Sequence, residues 1–188
     1  MKLPELVQAI RERFQDAVTA TTEFRGETSI SVTLERLHAV LAYAREELGF
    51  DYLVDISSVD HFETDPRFEM VYELYGYAHG CHLRVKAPVS EDEEVPTAID
   101  IWATADWHER EVYDMMGIRF TGHPNLQRIL MWEGYPYFPL RKDFPLEGKP
   151  SEMPDVAFTG VAPMADGPFV TSAGATDTIA REPRARRV

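Results

Sequence analysis

The sequence predicts an α+β fold: a two-layer domain with a mixed, largely antiparallel sheet and packed helices, followed by a long extended C-terminal arm. Three observations carry this. Apolar residues recur at helical spacing in some blocks and alternate in others, and the two kinds of block are segregated along the chain. The segments 68 to 77 and 81 to 87 read as strands joined by Ala78, His79 and Gly80, a hairpin that puts antiparallel pairing at the centre of the sheet. From Pro124 onward both periodicities fade, and eight of the thirteen prolines fall between Pro124 and Pro168.

Leu3, Leu6, Val7, Ile10 and Phe14 lie on one helical face, and Pro4 is tolerable in a first turn, so an amphipathic helix opens the chain. Ile30, Val32 and Leu34 alternate as a strand. Leu37, Val40, Leu41, Ala44 and Leu48 return to helical spacing, with Thr33 as N-cap and Gly49 just past the end. Further strands fall at about 50 to 57, 68 to 77 and 81 to 87; in the last, Cys81, Leu83, Val85 and Ala87 share one face, and His82, Arg84 and Lys86 the other. After the acidic loop SEDEEVP, Pro96 suits a helix start and Asp106 can cap a segment that runs to Met116 and stops at Gly117. The expected organisation is an α/β domain over residues 1–123, an extended arm over 124–148, and a tail over 149–188 that orders only on a partner.

Composition narrows the function. With 188 residues and 44% apolar content the chain can build one ordinary core. Its apolar runs are far shorter than the roughly 18 residues that cross a bilayer, so membrane contact is expected only through partners. The start, MKLPELVQAIRERFQDAV, lacks the basic-then-apolar order of a secretory signal, which favours a cytoplasm-like compartment. The single cysteine, Cys81, cannot form an internal disulfide or hold a cluster alone. The formal charge of −13 resides in residues 1 to 148, which hold 14 of the 19 basic and 27 of the 32 acidic side chains. Such a body repels phosphates and excludes nucleic acid as a partner.

The stretch WHEREVYDMMG, Trp107 to Gly117, begins like the His-Glu-x-x-His helix of a zinc protease, but Val112 stands where the second histidine belongs. With one histidine and no nearby cysteine the three-ligand set is incomplete. Arg110 and Asp114 are spaced i, i+4 and Glu111 and Asp114 i, i+3, so these charges are expected to share a salt-bridged face. Glu109, Arg110, Glu111 and Asp114 beside Trp107 and Tyr113 are too many for a merely solvated face, which suggests burial against another polypeptide. His79, Cys81 and His82 read as a hairpin tip rather than a metal site. His123, ahead of Pro124, reads as a hydrogen-bonding turn residue. There is no Walker loop and no Gly-x-Gly-x-x-Gly. Asp55 and Asp60 receive no role.

The segment PLRKDFPL, residues 139 to 146, sets Arg141, Lys142 and Asp143 between apolar neighbours, with Pro139 and Pro145 fixing an extended backbone. Trp132, Tyr135, Tyr137, Phe138 and Phe144 around it are costly to leave in water, so docking on a partner surface is expected. ERE at 109 to 111, then Asp114, Met115, Gly117, Phe120, GHP at 122 to 124, RIL at 128 to 130 and PLRKDFPL closely resemble the 30-kilodalton subunit family of NADH:quinone oxidoreductase, respiratory complex I. The match is dense from about Trp107 to Gly148 and looser before it. Gln127 departs from it, standing where relatives usually carry a basic residue, and so do Pro136, Tyr137 and Phe138, which replace a segment that often reads Glu-Gly-His before the proline.

The resemblance implies a small α/β domain with a long C-terminal extension in the hydrophilic arm of the complex, packed on the quinone-site subunit and touching other hydrophilic-arm subunits. It implies no cofactor in this chain, with flavin, iron–sulfur clusters and quinone held by partner subunits, and a peripheral place on the cytoplasmic side of the bacterial plasma membrane. Glu109, Arg110, Glu111, Asp114, Gly117, His123, Pro124, Arg128, Pro139, Arg141, Lys142, Asp143 and Pro145 are then the structural and interface motif, with no catalytic or metal-binding residue among them. The alternatives are the homologous subunit of a membrane-bound hydrogenase or ferredoxin-linked complex, a free-standing metal hydrolase built on His108 and Glu109, and a soluble adaptor.

Overall fold

A computed structural model describes residues 2–132 and 134–145. The chain divides after Lys142. Of the second unit only Asp143 to Pro145 are described, and the expected tail over 149–188 lies outside the described residues.

The first unit opens with helix α1 (Leu3–Arg13), then a hairpin of β1 (Val18–Phe24) and β2 (Glu27–Val32), then helix α2 (Leu34–Glu46). Three long strands follow, β3 (Tyr52–Asp60), β4 (Phe68–Gly76) and β5 (Cys81–Val89). A short β6 (Glu94–Pro96), helix α3 (Ala105–Met116) and a short β7 (Arg119–Thr121) complete the set. The main sheet has the order β1-β2-β5-β4-β3, antiparallel throughout except for β2 against β5, while β6 and β7 pair in parallel as a small second sheet. This is the α+β, two-layer arrangement expected from the sequence.

Strand alternation decides which face is covered. On β4 and β5, Phe68, Met70, Tyr72, Leu74, Leu83, Val85, Ala87 and Val89 are buried, and they form one core with Leu6 and Ile10 of α1 and Leu37, Val40, Leu41 and Ala44 of α2. Each large side chain so enclosed contributes about 1.5–3 kcal/mol. The opposite face carries a charge ladder: Arg84 reaches Glu73 at 2.8 Å and Glu27 at 3.0 Å, and Lys86 reaches Glu69 at 2.8 Å. The β4–β5 turn lies at Ala78 to Gly80 as expected, where the Gly76 carbonyl accepts N–H groups from His79 and Gly80. The His79 ring bonds to the Leu48 carbonyl at 3.0 Å, a structural use that keeps it from acting with Cys81 and His82.

Several sequence expectations need correction. Leu34 is the first residue of α2 rather than the end of a strand, since the alternation stops at Val32. Thr33 takes the N-cap position without a side-chain bond. Pro96 ends β6 instead of starting a helix; its lack of an N–H is harmless in a three-residue strand. Helix α3 starts nine residues later, and Asp106 is inside its first turn rather than at the cap, which is Thr104. Strand β1, with six of its seven residues exposed, has no apolar alternation for a sequence pattern to detect. Its two-residue turn does carry a signal, because Arg25 and Gly26 both have positive φ, the geometry of a tight hairpin.

Candidate functional site

Helix α3 is the centre of the motif region, and two of its acids, Glu109 and Asp114, turn inward. Five residues apart, Glu109 and Asp114 lie about 140° around the helix from one another and meet different loops. The Glu109 carboxylate accepts the Thr97 hydroxyl and the Ala98 N–H, each at 2.6 Å, and so ties the β6–α3 loop to the helix. Burial pushes its pKa up to about 7, against the lowering effect of those two bonds. Asp114 is used differently. One of its oxygens accepts the N–H groups of Ile129, Leu130 and Met131 at 3.0, 2.7 and 2.9 Å, and the other accepts Arg128 at 2.7 Å. Burial works to raise its pKa, but the three N–H groups and the guanidinium outweigh it and hold the carboxyl below its usual range.

The expected salt-bridged face of Arg110, Glu111 and Asp114 is therefore absent. Asp114 pairs with Arg128 of its own chain, while Arg110 lies over the Trp107 ring at 5.1 Å and donates to the Gln127 carbonyl at 3.1 Å. Glu111 is exposed. Because the Glu109 and Asp114 side chains are enclosed by their own domain, any part they take in a subunit surface has to be indirect. The reason is local: the loops that follow and precede α3 present backbone N–H groups that need acceptors once buried.

Past α3 the backbone turns at Gly117, with φ of 78°, and a Cβ there would meet Phe138 at 2.7 Å and Arg141 at 2.8 Å. The His123 ring is fully enclosed; its Nδ1 accepts the Asn125 N–H at 3.0 Å, leaving Nε2 to donate to the Asp106 carboxylate at 3.3 Å. That is the turn role expected of it. Pro124 is exposed and Pro139 buried. The aromatic strip closes on the domain itself: Arg128 stacks on Phe138 and Tyr135, and Arg141 on Phe138 and Phe68. Arg141 Nε donates to the Met116 carbonyl at 2.6 Å and its Nη1 reaches Glu91 at 2.8 Å. Asp143 and Pro145 are exposed residues of the second unit.

Sequence reasoning missed Asp60. This carboxylate, at the end of β3, is gripped by Nε and Nη2 of Arg67 at 3.0 and 2.9 Å and accepts N–H groups from Phe62 at 3.0 Å and Lys142 at 2.8 Å. The Arg67 bonds are the main reason that its pKa falls to about 2, against burial and with help from Lys142 and Phe62. Its partner Lys142 is 82 residues away, so no local pattern marks the pair.

The hydrolase alternative fails on geometry. His108 turns to Asp55 at 3.2 Å on one side of α3, while Glu109 is bound to Thr97 and Ala98 on another. Among the described residues no group of three His, Cys, Asp or Glu side chains could hold a metal. No described helix is long and apolar enough to cross a membrane. What the arrangement does chemically is fix loops: three enclosed carboxylates each neutralise a different stretch of backbone.

Residues 30–150 match the profile of the family described as respiratory-chain NADH dehydrogenase, 30 Kd subunit. An NADH-quinone oxidoreductase subunit of Geotalea uraniireducens (strain Rf4) is 43% identical over 144 residues, covering 76% of this chain and 88% of that protein. The corresponding NADH-quinone oxidoreductase subunit of Rhizobium etli (strain CIAT 652) is 42% identical over 169 residues, covering 82% and 90%. A chain in the structure of the membrane-bound sulfane sulfur reductase, an archaeal respiratory membrane complex, superposes with a TM-score of 0.64 at 27% identity, over 76% of this chain and 85% of that one. Motif, fold and these matches lead to one assignment: the chain belongs to the family of the respiratory-chain NADH dehydrogenase 30 Kd subunit.

Proposed function

We propose that this chain is a non-catalytic structural subunit in the hydrophilic arm of an NADH:quinone oxidoreductase, packed on the subunit that forms the quinone site. There it supports electron transfer from NADH to quinone coupled to proton translocation. The observation that carries the reading is the use of the enclosed acids. In a family of subunits, a chain whose Glu109, Asp114 and Asp60 are all committed to its own loops is built to hold a rigid shape. Flavin, iron–sulfur clusters and quinone then belong to partner subunits. Rigidity matters in such an assembly because reacting centres held within about 0.5 Å of their productive geometry lose rate when their supports loosen. The chain then sits peripherally on the cytoplasmic side of the bacterial plasma membrane, reaching the bilayer only through the complex.

The test is to tag the chain in its host, isolate the membrane complex and assay it with and without the chain. Co-purification of flavin- and cluster-bearing subunits, with NADH:quinone activity lost when the chain is deleted, is the expected result. A chain that purifies alone while quinone reduction persists in the deletion strain refutes the proposal. A second reading, favoured by the likeness to the sulfane sulfur reductase chain, is a related membrane complex with another electron donor. The co-purifying subunits separate the two.

A further inference from the structure

The sheet has two edges, β1 and β3, and they are treated differently. Helix α3 packs against β3, with His108 reaching Asp55, and the β3 ladder is broken by a register shift between Leu53 and Asp55. Among the described residues strand β1 has no such cover. Its backbone pairs only with β2, and besides that ladder residues 19–24 make one further main-chain bond among the described residues, the Thr22 carbonyl accepting the Ser29 hydroxyl at 3.4 Å across the same hairpin. Phe24 and Glu27 close the two-residue turn and are therefore a bonded pair, as are Thr22 and Ser29. The alternation leaves Thr21 and Glu23, opposite Ile30 and Thr28, with their N–H and C=O groups turned away from the sheet.

Proteins that keep such an edge in water blunt it with charged side chains, lysine above all, with proline or with a bulge. The stretch TATTEF, residues 19 to 24, has neither lysine nor proline and a single charge, Glu23, and the one bulge, between Val18 and Ala20, lies before the open groups. Three threonines favour extended pairing, and Phe24 stands 67% exposed at the tip with the Arg25 guanidinium 5.1 Å from its ring. We propose that the outer edge of β1 receives an extended strand from another polypeptide of the assembly, one with neutral and basic side chains. This rests on the subunit reading above and adds the site and mode of one contact.

Charge selects the occupant. A second copy of a chain with a formal charge of −13 would bring its own sign to the edge. Across the hairpin Glu27 is held by Arg84 at 3.0 Å, but Glu23 has no bonded partner among the described residues and faces outward beside the open backbone groups. A lysine or arginine on the incoming strand satisfies it, while the main-chain ladder supplies the affinity.

Hydrogen exchange on the full-length chain, alone and in the isolated complex, tests this at single amides. The Thr21 and Glu23 N–H groups should exchange freely in the chain alone and slow by about 100-fold or more in the complex, the behaviour of amides that open only with a cooperative unit. Thr21→Pro and Glu23→Pro remove the outward donors without breaking the β1–β2 ladder, and should lower recovery of the chain in the complex several-fold. Glu23→Lys, which leaves the hairpin backbone intact, should also lower it. Co-purification with both amides still fast overturns the proposal but leaves the subunit reading standing. Concentration-dependent protection in the chain alone shows self-pairing and overturns it too. A chain that joins no complex overturns both.

Discussion

Replacing Asp114 by alanine removes at once the acceptor of three backbone N–H groups and the counter-charge of Arg128. Breaking an enclosed ion pair from one side costs about 3–5 kcal/mol, and each N–H left dry costs about 1–3 kcal/mol more. Added together these would approach the whole stability of an ordinary domain, about 5–15 kcal/mol. The segment 128–131 should therefore detach and give its N–H groups and the Arg128 charge to water, which keeps the loss at or below the about 3–5 kcal/mol of an enclosed pair broken from one side. Two measurements check this on the full-length chain: urea unfolding at neutral pH, and trypsin cleavage at Arg128 in native buffer. Cleavage should become fast in the variant under conditions where β4 and β5 remain folded. Asp114→Asn, which keeps one carbonyl acceptor but no charge, should lie between. A loss under about 1 kcal/mol with Arg128 as resistant as before would refute the reasoning, because it would mean the carboxylate does not hold the segment.

Gly117→Ala should destabilise by about 1–2 kcal/mol from its left-handed backbone alone, and by more as Phe138 is displaced, measured by thermal unfolding. For Glu109 the raised pKa means the native state binds its proton more tightly than the unfolded chain does. Stability from this group is thus full below about pH 4.5, falls as pH rises to about 7, and is flat above, a total of about 3 kcal/mol. Glu109→Gln should abolish that fall, so the wild-type-minus-variant difference between about pH 5 and about pH 8 is the quantity to measure; an unchanged difference refutes it. The Tyr72 hydroxyl is enclosed with no hydrogen-bond partner among the described residues, so Tyr72→Phe should change stability by less than about 1 kcal/mol or raise it, and a loss above about 2 kcal/mol would show a missed partner.

The core was legible because it is periodic. Leu83, Val85 and Ala87 alternate and are buried, and Gly117 ends α3 where the apolar spacing stops. Strand β1 was not, since Thr19 to Phe24 face water on both sides and owe their conformation to pairing with β2 rather than to a buried face. In the motif region the residues were identifiable but their partners were not. Trp132, Tyr135, Tyr137 and Phe138 announce that they must be covered, yet a sequence does not say by whose surface. Here Arg128 and Arg141 of the same chain cover Tyr135 and Phe138. Asp60 shows the limit most plainly, because its meaning depends on Lys142 arriving from the far end of the unit.

The three enclosed carboxylates also govern how the segment after α3 responds to solvent. Mobile ions screen exposed charges over about 8–10 Å at ordinary ionic strength but hardly reach groups sealed from water. Asp114 and Asp60 are sealed, so high salt that loosens charged surface contacts between chains should leave residues 128–142 seated on their domain. Acid acts in the opposite way: the Asp60 contribution, present above about pH 4, is lost only as pH falls through about 2. A salt wash therefore loosens contacts between chains while the clasp within this one holds, and acid releases the clasp only near pH 2, after ordinary surface carboxylates have already taken up their protons.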